Sequence, residues 1–465
     1  MGKHQEKVHA IQNRIQSYLN TKDTRKIVFE HGSSNSTRYQ NSTEFYHVDL
    51  SNLNDILEIN TERKYIVVEP NVPMDKLLAF TLKYNLMPPV VPEFPGITVG
   101  GAVQGGSGES GSFKWGEFHD SCFKYEMILG NAEIITASAT ENTDLFLGTD
   151  SSYGSLGIMT SISISLVPAR KYIKLTYYPV DNFEALVTGL DKFDKANEEY
   201  LDALMFSRNR GVIMVGEGAD SCKDTVSTFL KSFDPWFAQH TDGISKKCLE
   251  HTEYIPITDY IFRYDRGAYW MGDFFFEYTH LPNIRLLRCL LNPMFDTRTL
   301  FLGLQKGRLA KEFFIQDICF PIEHMEKFLE FLDENLSIYP IWICPLKPAK
   351  KAEFLCSHYQ NTELVLNVGI WGRTNKYLRD PMQNNRDVEK FSDKYGARKV
   401  LYAHQYYTPE EFWTLYDKGK YDRLREKYHA NKMFPDIYSV THVSKFLEKD
   451  NWAAVKAVVK HVLSK

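Results

Sequence analysis

Residues 95–116 read Pro-Gly-Ile-Thr-Val-Gly-Gly-Ala-Val-Gln-Gly-Gly-Ser-Gly-Glu-Ser-Gly-Ser-Phe-Lys-Trp-Gly, and eight of these 22 residues are glycine. Glycine loses more backbone freedom on folding than any other residue, so a run this dense is destabilising unless something compensates. Close approach is the available compensation: without Cβ atoms, successive backbone N–H groups form a concave nest for an anion. A dinucleotide pyrophosphate is the expected guest. A turn-and-bulge segment with no ligand is the competing account. It suits one or two glycines better than Thr98-Val99-Gly100-Gly101-Ala102 followed by three further clusters.

Gly106–Gly111 matches G-x-G-x-x-G, but the Rossmann fingerprint also needs a strand before it, a helix opening inside it and a βαβ unit around it. Here Tyr125–Leu129 and Glu133–Thr136 flank Gly130-Asn131, the pattern of an antiparallel hairpin. No Gly-Lys-Ser/Thr closes the run, which excludes a P-loop. Two other segments fit an anion-binding reading. Gly32, Ser33, Ser34, Asn35, Ser36 and Thr37 follow a strand expected near 26–30 and offer hydroxyls, an amide and backbone N–H groups, although a plain turn has the same composition. Gly154 and Gly157, leading through Ile158 into an alternating strand at 161–167, give a flat ligand room to approach backbone; a strand entry with a bulge is the alternative.

At 465 residues the chain exceeds what one hydrophobic core supports, so two or three domains are expected. A net charge of −4 without a basic cluster argues against a nucleic-acid partner. The seven cysteines show no CxxC and no His/Cys ligand spacing, so reduced thiols and no metal site are expected. A polar N-terminus with no signal peptide and no apolar run of about 18 residues points to a cytoplasmic protein. Asp273–Phe276 and Leu286–Phe295 are apolar enough to touch a membrane surface, and buried helices explain them equally well.

Hydrophobic periodicity predicts an α/β (α+β) fold. Val8, Ile11, Ile15 and Leu19 mark an amphipathic first helix; strands follow near 46–50 and 65–69, with a helix over 74–86 after Pro73. A strand over 171–180 opens a second region with helices at 183–199 and 322–334 and strands at 203–207, 211–216, 339–344 and 363–370. That alternation suggests an antiparallel sheet covered on one face. The expected domains are 1–170, 171–408, and a helical segment 409–465 returning to the first.

The order of the glycine-bearing segments resembles the PCMH-type FAD-binding domain of the vanillyl-alcohol oxidase family, and more closely that of the Δ24-sterol reductases. The resemblance extends through Val90-Val91-Pro92-Glu93, Glu141–Phe146, Pro168–Leu175, Gln316-Asp317, Ile338–Pro345 and Leu401-Tyr402-Ala403. Glu410–Trp413, Leu424–Lys427 and Phe434–Tyr438 complete it. His404-Gln405 departs from the Asp-Cys pair expected there, and the chain begins almost where the animal-type members' hydrophobic anchor would end.

The resemblance implies an FAD domain joined to a substrate-capping domain, non-covalent FAD, NADPH as electron donor and a sterol-like lipid substrate. It implies a location in the cytoplasm or at the cytosolic face of the endoplasmic reticulum. It assigns cofactor contacts to the 32–37 loop, to Pro95, Gly96, Thr98, Val99, Gly100, Gly101, Gly105, Ser107, Gly108 and Ser110, and to Gly154, Gly157 and Ile158. Ser107 stands where a histidine often sits in covalent members, and Cys122 is the one candidate thiol. Reducing a trisubstituted alkene needs a proton donor opposite the flavin and a dry apolar pocket. Tyr402, His404, Tyr406 and Asp317 are the candidate donors, and strand spacing would put the first three on one face. Tyr264–Trp270 and Trp342 are candidate pocket walls. Arg263 and Arg266 are candidates for a substrate hydroxyl or NADPH phosphate, against a structural ion pair. An oxygen-consuming flavin oxidase of an alcohol, sugar or polyphenol is the rival activity, and a cofactor-binding scaffold the non-enzymatic one.

Overall fold

Met127 and Ile128 pair with Ile135 and Ile134 across the turn at Gly130-Asn131, closing the antiparallel hairpin of Cys122–Ile128 and Ile134–Ser138. A Cβ on Gly130 would sit 2.0 Å from the His429 carbonyl oxygen, so the turn needs glycine to let the C-terminal segment dock. A computed structural model of the chain describes residues 2–31, 36–37, 44–194, 198–349, 354–373, 380–444 and 448–463. Gly32, Ser33, Ser34 and Asn35 lie outside the described residues.

The hairpin belongs to a five-stranded sheet in the spatial order Ile56–Asn60, Tyr65–Val68, Ile158–Ser165, Cys122–Ile128, Ile134–Ser138, antiparallel throughout. Helix Met74–Thr81 follows Pro73 and buries Met74, Leu77 and Leu78. The first helix, Gly2–Leu19, buries Val8, Ile11, Ile15 and Tyr18 along one stripe, as its 3.6-residue periodicity requires. That stripe packs with Ile128, Ala430, Met433 and Phe434.

The second sheet has eight strands in the order His251–Pro256, Tyr172–Val180, Arg210–Ala219, Tyr200–Ser207, Ile341–Leu346, Val365–Arg373, Phe313–Pro321, Arg398–Lys399. Every neighbouring pair is antiparallel. Helices Phe183–Asp194, Met325–Asn335 and Pro381–Lys394 cover one face, where Phe314, Ile318, Ile343 and Val368 meet Leu190, Phe328, Leu329 and Val388. The two-residue period turns Ile315, Asp317, Trp342 and Trp371 to the other face, toward the first sheet.

The segment after 408 is helical, and its first half lies against the five-stranded sheet. Arg425 donates to the carbonyls of Ser155 and Phe434, and Lys427 and Tyr428 both bind Asp144. Its last helix, Asn451–Leu463, goes elsewhere: it packs on Thr297–Lys306, where Gly303 and Gly307 let Val458 and Ala454 approach. No helix among the described residues is long and apolar enough to cross a membrane.

Candidate active site

Between the two sheets lies a cavity of about 320 Å³. The glycine run forms one wall, and its first half is not an irregular nest but a capped helical turn, Val99–Gly105. Thr98 accepts from the Gly101 N–H at 3.2 Å, and the Gly100 N–H donates to the Pro70 carbonyl at 2.7 Å. A Cβ on Gly100 would fall 2.7 Å from Pro70 Cβ, which explains that glycine by close approach. Gly106 is held at φ +67°, where a Cβ would also meet Glu117 Oε2 and Ser151 Oγ at 2.7 Å each. Gly105 has nothing within 4 Å of its missing Cβ and lines the cavity.

Beyond the turn, no hydrogen bond among the described residues uses the Ser107 or Gly108 N–H, and Gln104 Nε2 and His31 Nδ1 are buried at the cavity without partners. Unsatisfied donors on a glycine-lined wall suit a phosphate-bearing dinucleotide. The residues present therefore fit FAD.

The opposite wall is aromatic with carboxyls set into it. Tyr269 packs against Phe94, Trp342 and Trp371 with ring centroids 5.2–5.5 Å apart. Tyr269 OH donates to Glu93 Oε1 at 2.8 Å. Asp317 accepts from Trp371 Nε1 and Asn367 Nδ2, each at 3.0 Å, and from Tyr402 OH. Desolvation is the main reason that the Glu93 carboxyl is pushed up to about 7, with Asp317 nearby raising it further. Glu93 is half-buried and lines this cavity. Asp317 is also raised by burial, against hydrogen bonds led by Tyr402 that lower it. Tyr402 is raised well above the ordinary phenol range, first by burial and then by Asp317. Around neutral pH the wall thus holds a half-protonated Glu93 and a phenol that keeps its proton.

Residues 9–138 match the FAD binding domain family. The Delta(24)-sterol reductase of Mus musculus is 30% identical to this chain over 83% of its length and 76% of the relative's. The Homo sapiens enzyme of that name is 29% identical over the same shares. The Delta(24)-sterol reductase of Pisum sativum is 28% identical over 96% of the chain and 86% of the relative. The chain belongs to the Delta(24)-sterol reductase family.

Half of the residues assigned by resemblance to that family come together. Ser36, Gly96, Thr98, Gly100, Gly101, Gly105, Ser107, Gly108 and Gly154 line the cavity on one side, and Asp317 and Tyr402 on the other. Pro95, Val99, Ser110, Gly157 and Ile158 sit behind the lining. The Pro95 carbonyl takes the Arg298 guanidinium at 3.0 Å, and Ser110 Oγ lies between Glu109 and Tyr260. Val99 and Ile158 are core residues, and Gly157 approaches the Ile128 carbonyl. Thr37 and His404 bond each other at 2.8 Å outside the lining, while the Thr37 N–H and Ser36 Oγ both donate to the Tyr402 carbonyl. Cys122 is buried in the core, away from the cavity.

Three expectations change. Pairing with Phe313–Pro321 ends at Lys399, so Tyr402 lies in a turn and His404–Tyr406 is irregular chain with a single bridge from Gln405 to His442, not a strand. Tyr402 therefore reaches Asp317, while His404 turns to Thr37. Arg263 is neither a phosphate nor a hydroxyl ligand: buried, it pairs with Asp202 at 2.9 Å and packs over the Tyr260 ring. Arg266 holds the carbonyls of Phe229, Ser232 and Asp234 and the side chain of Asn292. Tyr269 lines the cavity, as its place among the candidate pocket walls implied, whereas Glu93 and Trp371 carried no signal as site residues. Val90–Glu93 stood out as a motif, but the partner that gives Glu93 its role lies 176 positions away.

Proposed function

We propose that this chain is an FAD-dependent reductase that uses NADPH to saturate the Δ24 side-chain double bond of a desmosterol-like sterol. The observation that carries the reading is an apolar, aromatic cavity with a carboxyl raised to about 7, in a chain whose relatives along most of its length are Delta(24)-sterol reductases. When bound, FAD supplies hydride transfer. The chain's own residues do the rest: Trp342, Trp371, Phe94 and Tyr269 exclude water, and Glu93 holds a proton where an alkene would lie. Asp317 fixes the Tyr402 hydroxyl; with its proton directed at that carboxylate, Tyr402 serves as a relay or positioning group, and Glu93 is the acid. The cofactor contacts are those assigned to the glycine wall and to the loop before Ser36.

The FAD is held without a covalent bond, since Ser107 occupies the glycine wall and Cys122 lies in the core. Acid precipitation should release the yellow chromophore into the supernatant.

The same reading includes a peripheral contact with a lipid surface. Tyr278, Leu281, Ile284, Leu286 and Leu290 are exposed, as are Trp452, Val455 and Leu463 on a helix that carries Lys456 and Lys460. That helix packs against Thr297–Lys306, whose Phe301 lines the cavity.

The deciding experiment is anaerobic. NADPH should bleach the bound flavin, and desmosterol should restore its absorbance with one saturated product per flavin. Bleaching by an alcohol or sugar, with peroxide release in air, would establish the oxidase instead.

A further inference from the structure

Immediately past the glycine run, Glu117 and His119 meet His358, which follows them by some 240 positions. Their side chains are at most 1% exposed. His119 Nδ1 stands 3.6 Å from Glu117 Oε2, and His358 Nδ1 stands 3.1 Å from Glu117 Oε1. The far nitrogens of both rings face one oxygen, Asp120 Oδ2, at 3.7 and 3.5 Å. One donor atom each from Glu117, His119 and His358 lies within 4.8 Å of the other two. Despite these distances, Glu117 Oε2, His119 Nδ1 and both ring nitrogens of His358 are buried with no hydrogen bond among the described residues. Each of these atoms faces a carboxylate or an imidazole at 3.1–3.6 Å without a well-directed hydrogen bond, and four such buried atoms in one place suit a common partner.

We propose that Glu117, His119 and His358 hold a divalent metal ion of the zinc class. Donors about 2.0–2.1 Å from a tetrahedral zinc stand roughly 3.3 Å apart, between the two separations found here. One carboxylate oxygen of Glu117 and one nitrogen of each imidazole supply three protein donors. Asp120, on the far side of both imidazoles, orients them as a carboxylate behind a metal-bound histidine does, and is itself fixed by the Glu117 N–H at 2.9 Å. Cys356 Sγ lies 3.5 Å from His119 Nε2, on the Asp120 side, and so outside the donor set. A buried set of nitrogen and oxygen donors fits an ion of this class. Its effect would be to staple the segment around His358 to the turn that braces Gly106, since Glu117 also lines the cavity. The spacing in sequence concealed the site because its ligands come from two distant segments. This proposal does not depend on the sterol reading.

Elemental analysis of the full, untagged chain, purified without chelators from zinc-supplemented medium, should find about one zinc per chain. His358→Gln and His119→Gln should each lower that below about a tenth, while His9→Gln on the exposed first helix should not. Stripping the wild-type chain with a chelator should lower its melting temperature, and zinc should restore it. These wild-type measurements stand even if a variant fails to fold. A wild-type chain that holds under about a tenth of an ion after dialysis against zinc overturns the proposal, as does unchanged zinc content in both variants. The cluster would then be two imidazoliums paired with two carboxylates.

Discussion

Glu93 gives the cavity its pH signature. With its carboxyl at about 7, the folded chain binds a proton that the unfolded chain releases near the ordinary value of 4.5. The contribution of Glu93 to stability therefore falls as pH rises between those values and levels off above. Glu93→Gln should raise stability at pH 8 by on the order of 1–3 kcal/mol and flatten part of that decline, as read by denaturant titration. Glu109, raised to about 7, and Asp265 and Asp393, each raised to about 6, all chiefly by burial, contribute to the remainder. The same substitution should slow sterol-dependent flavin reoxidation by ~10²-fold or more and abolish its fall through pH 7, leaving reduction by NADPH intact. Tyr402→Phe should slow reoxidation by a smaller factor while keeping that pH profile, because Asp317 loses one donor and retains Trp371 and Asn367. A loss that equals the Glu93→Gln loss would make Tyr402 the acid. Sequence revealed Tyr402 and Asp317 through resemblance and the glycines through their density. Burial is what turns an ordinary glutamate into an acid, and burial is set by residues such as Tyr269 that are remote in sequence.

Helices and strands follow the local signals unevenly. The hairpin was legible because Gly130-Asn131 breaks two apolar runs. The strand Phe313–Pro321 was not, since seven consecutive residues are buried and leave no alternation to read. The helical turn Val99–Gly105 was hidden because three of its seven residues are glycine, and only the Thr98 cap and the Pro70 contact stabilise it. Gly105 has room for a side chain and negative φ, so Gly105→Val should fold and yet fill the space a cofactor needs. Circular dichroism should be preserved and flavin content lost; full flavin content would place the cofactor elsewhere. At the last helix, a Cβ on Gly307 would meet Ala454 Cβ at 2.7 Å. Gly307→Val should detach Asn451–Leu463, seen as new proteolysis there at little change in flavin content.

Across the whole molecule, the cavity draws on segments from Ile27 to Val440. The two sheets, 56–165 and 172–399, follow sequence order and were expected. The closure of the first sheet's core by Ala430, Met433 and Phe434 was foreseen only as a helical return. Removing 409–465 should strip that cover from Val8, Ile11 and Ile15 and give a chain that retains no FAD and aggregates, measured by flavin absorbance and light scattering. Truncating a buried aromatic such as Phe434 to Ala would by itself cost about 3–5 kcal/mol. The packing of helix Gly2–Leu19 on residues 430–434 also has a consequence for birth on the ribosome. At about 5–20 residues per second, the apolar stripe of that helix waits roughly 20–80 s before the last of its partners, residues 430–434, are synthesised. Throughout that interval it is a greasy handle on an unfinished protein, so a chaperone that binds the nascent chain should find its first grip there.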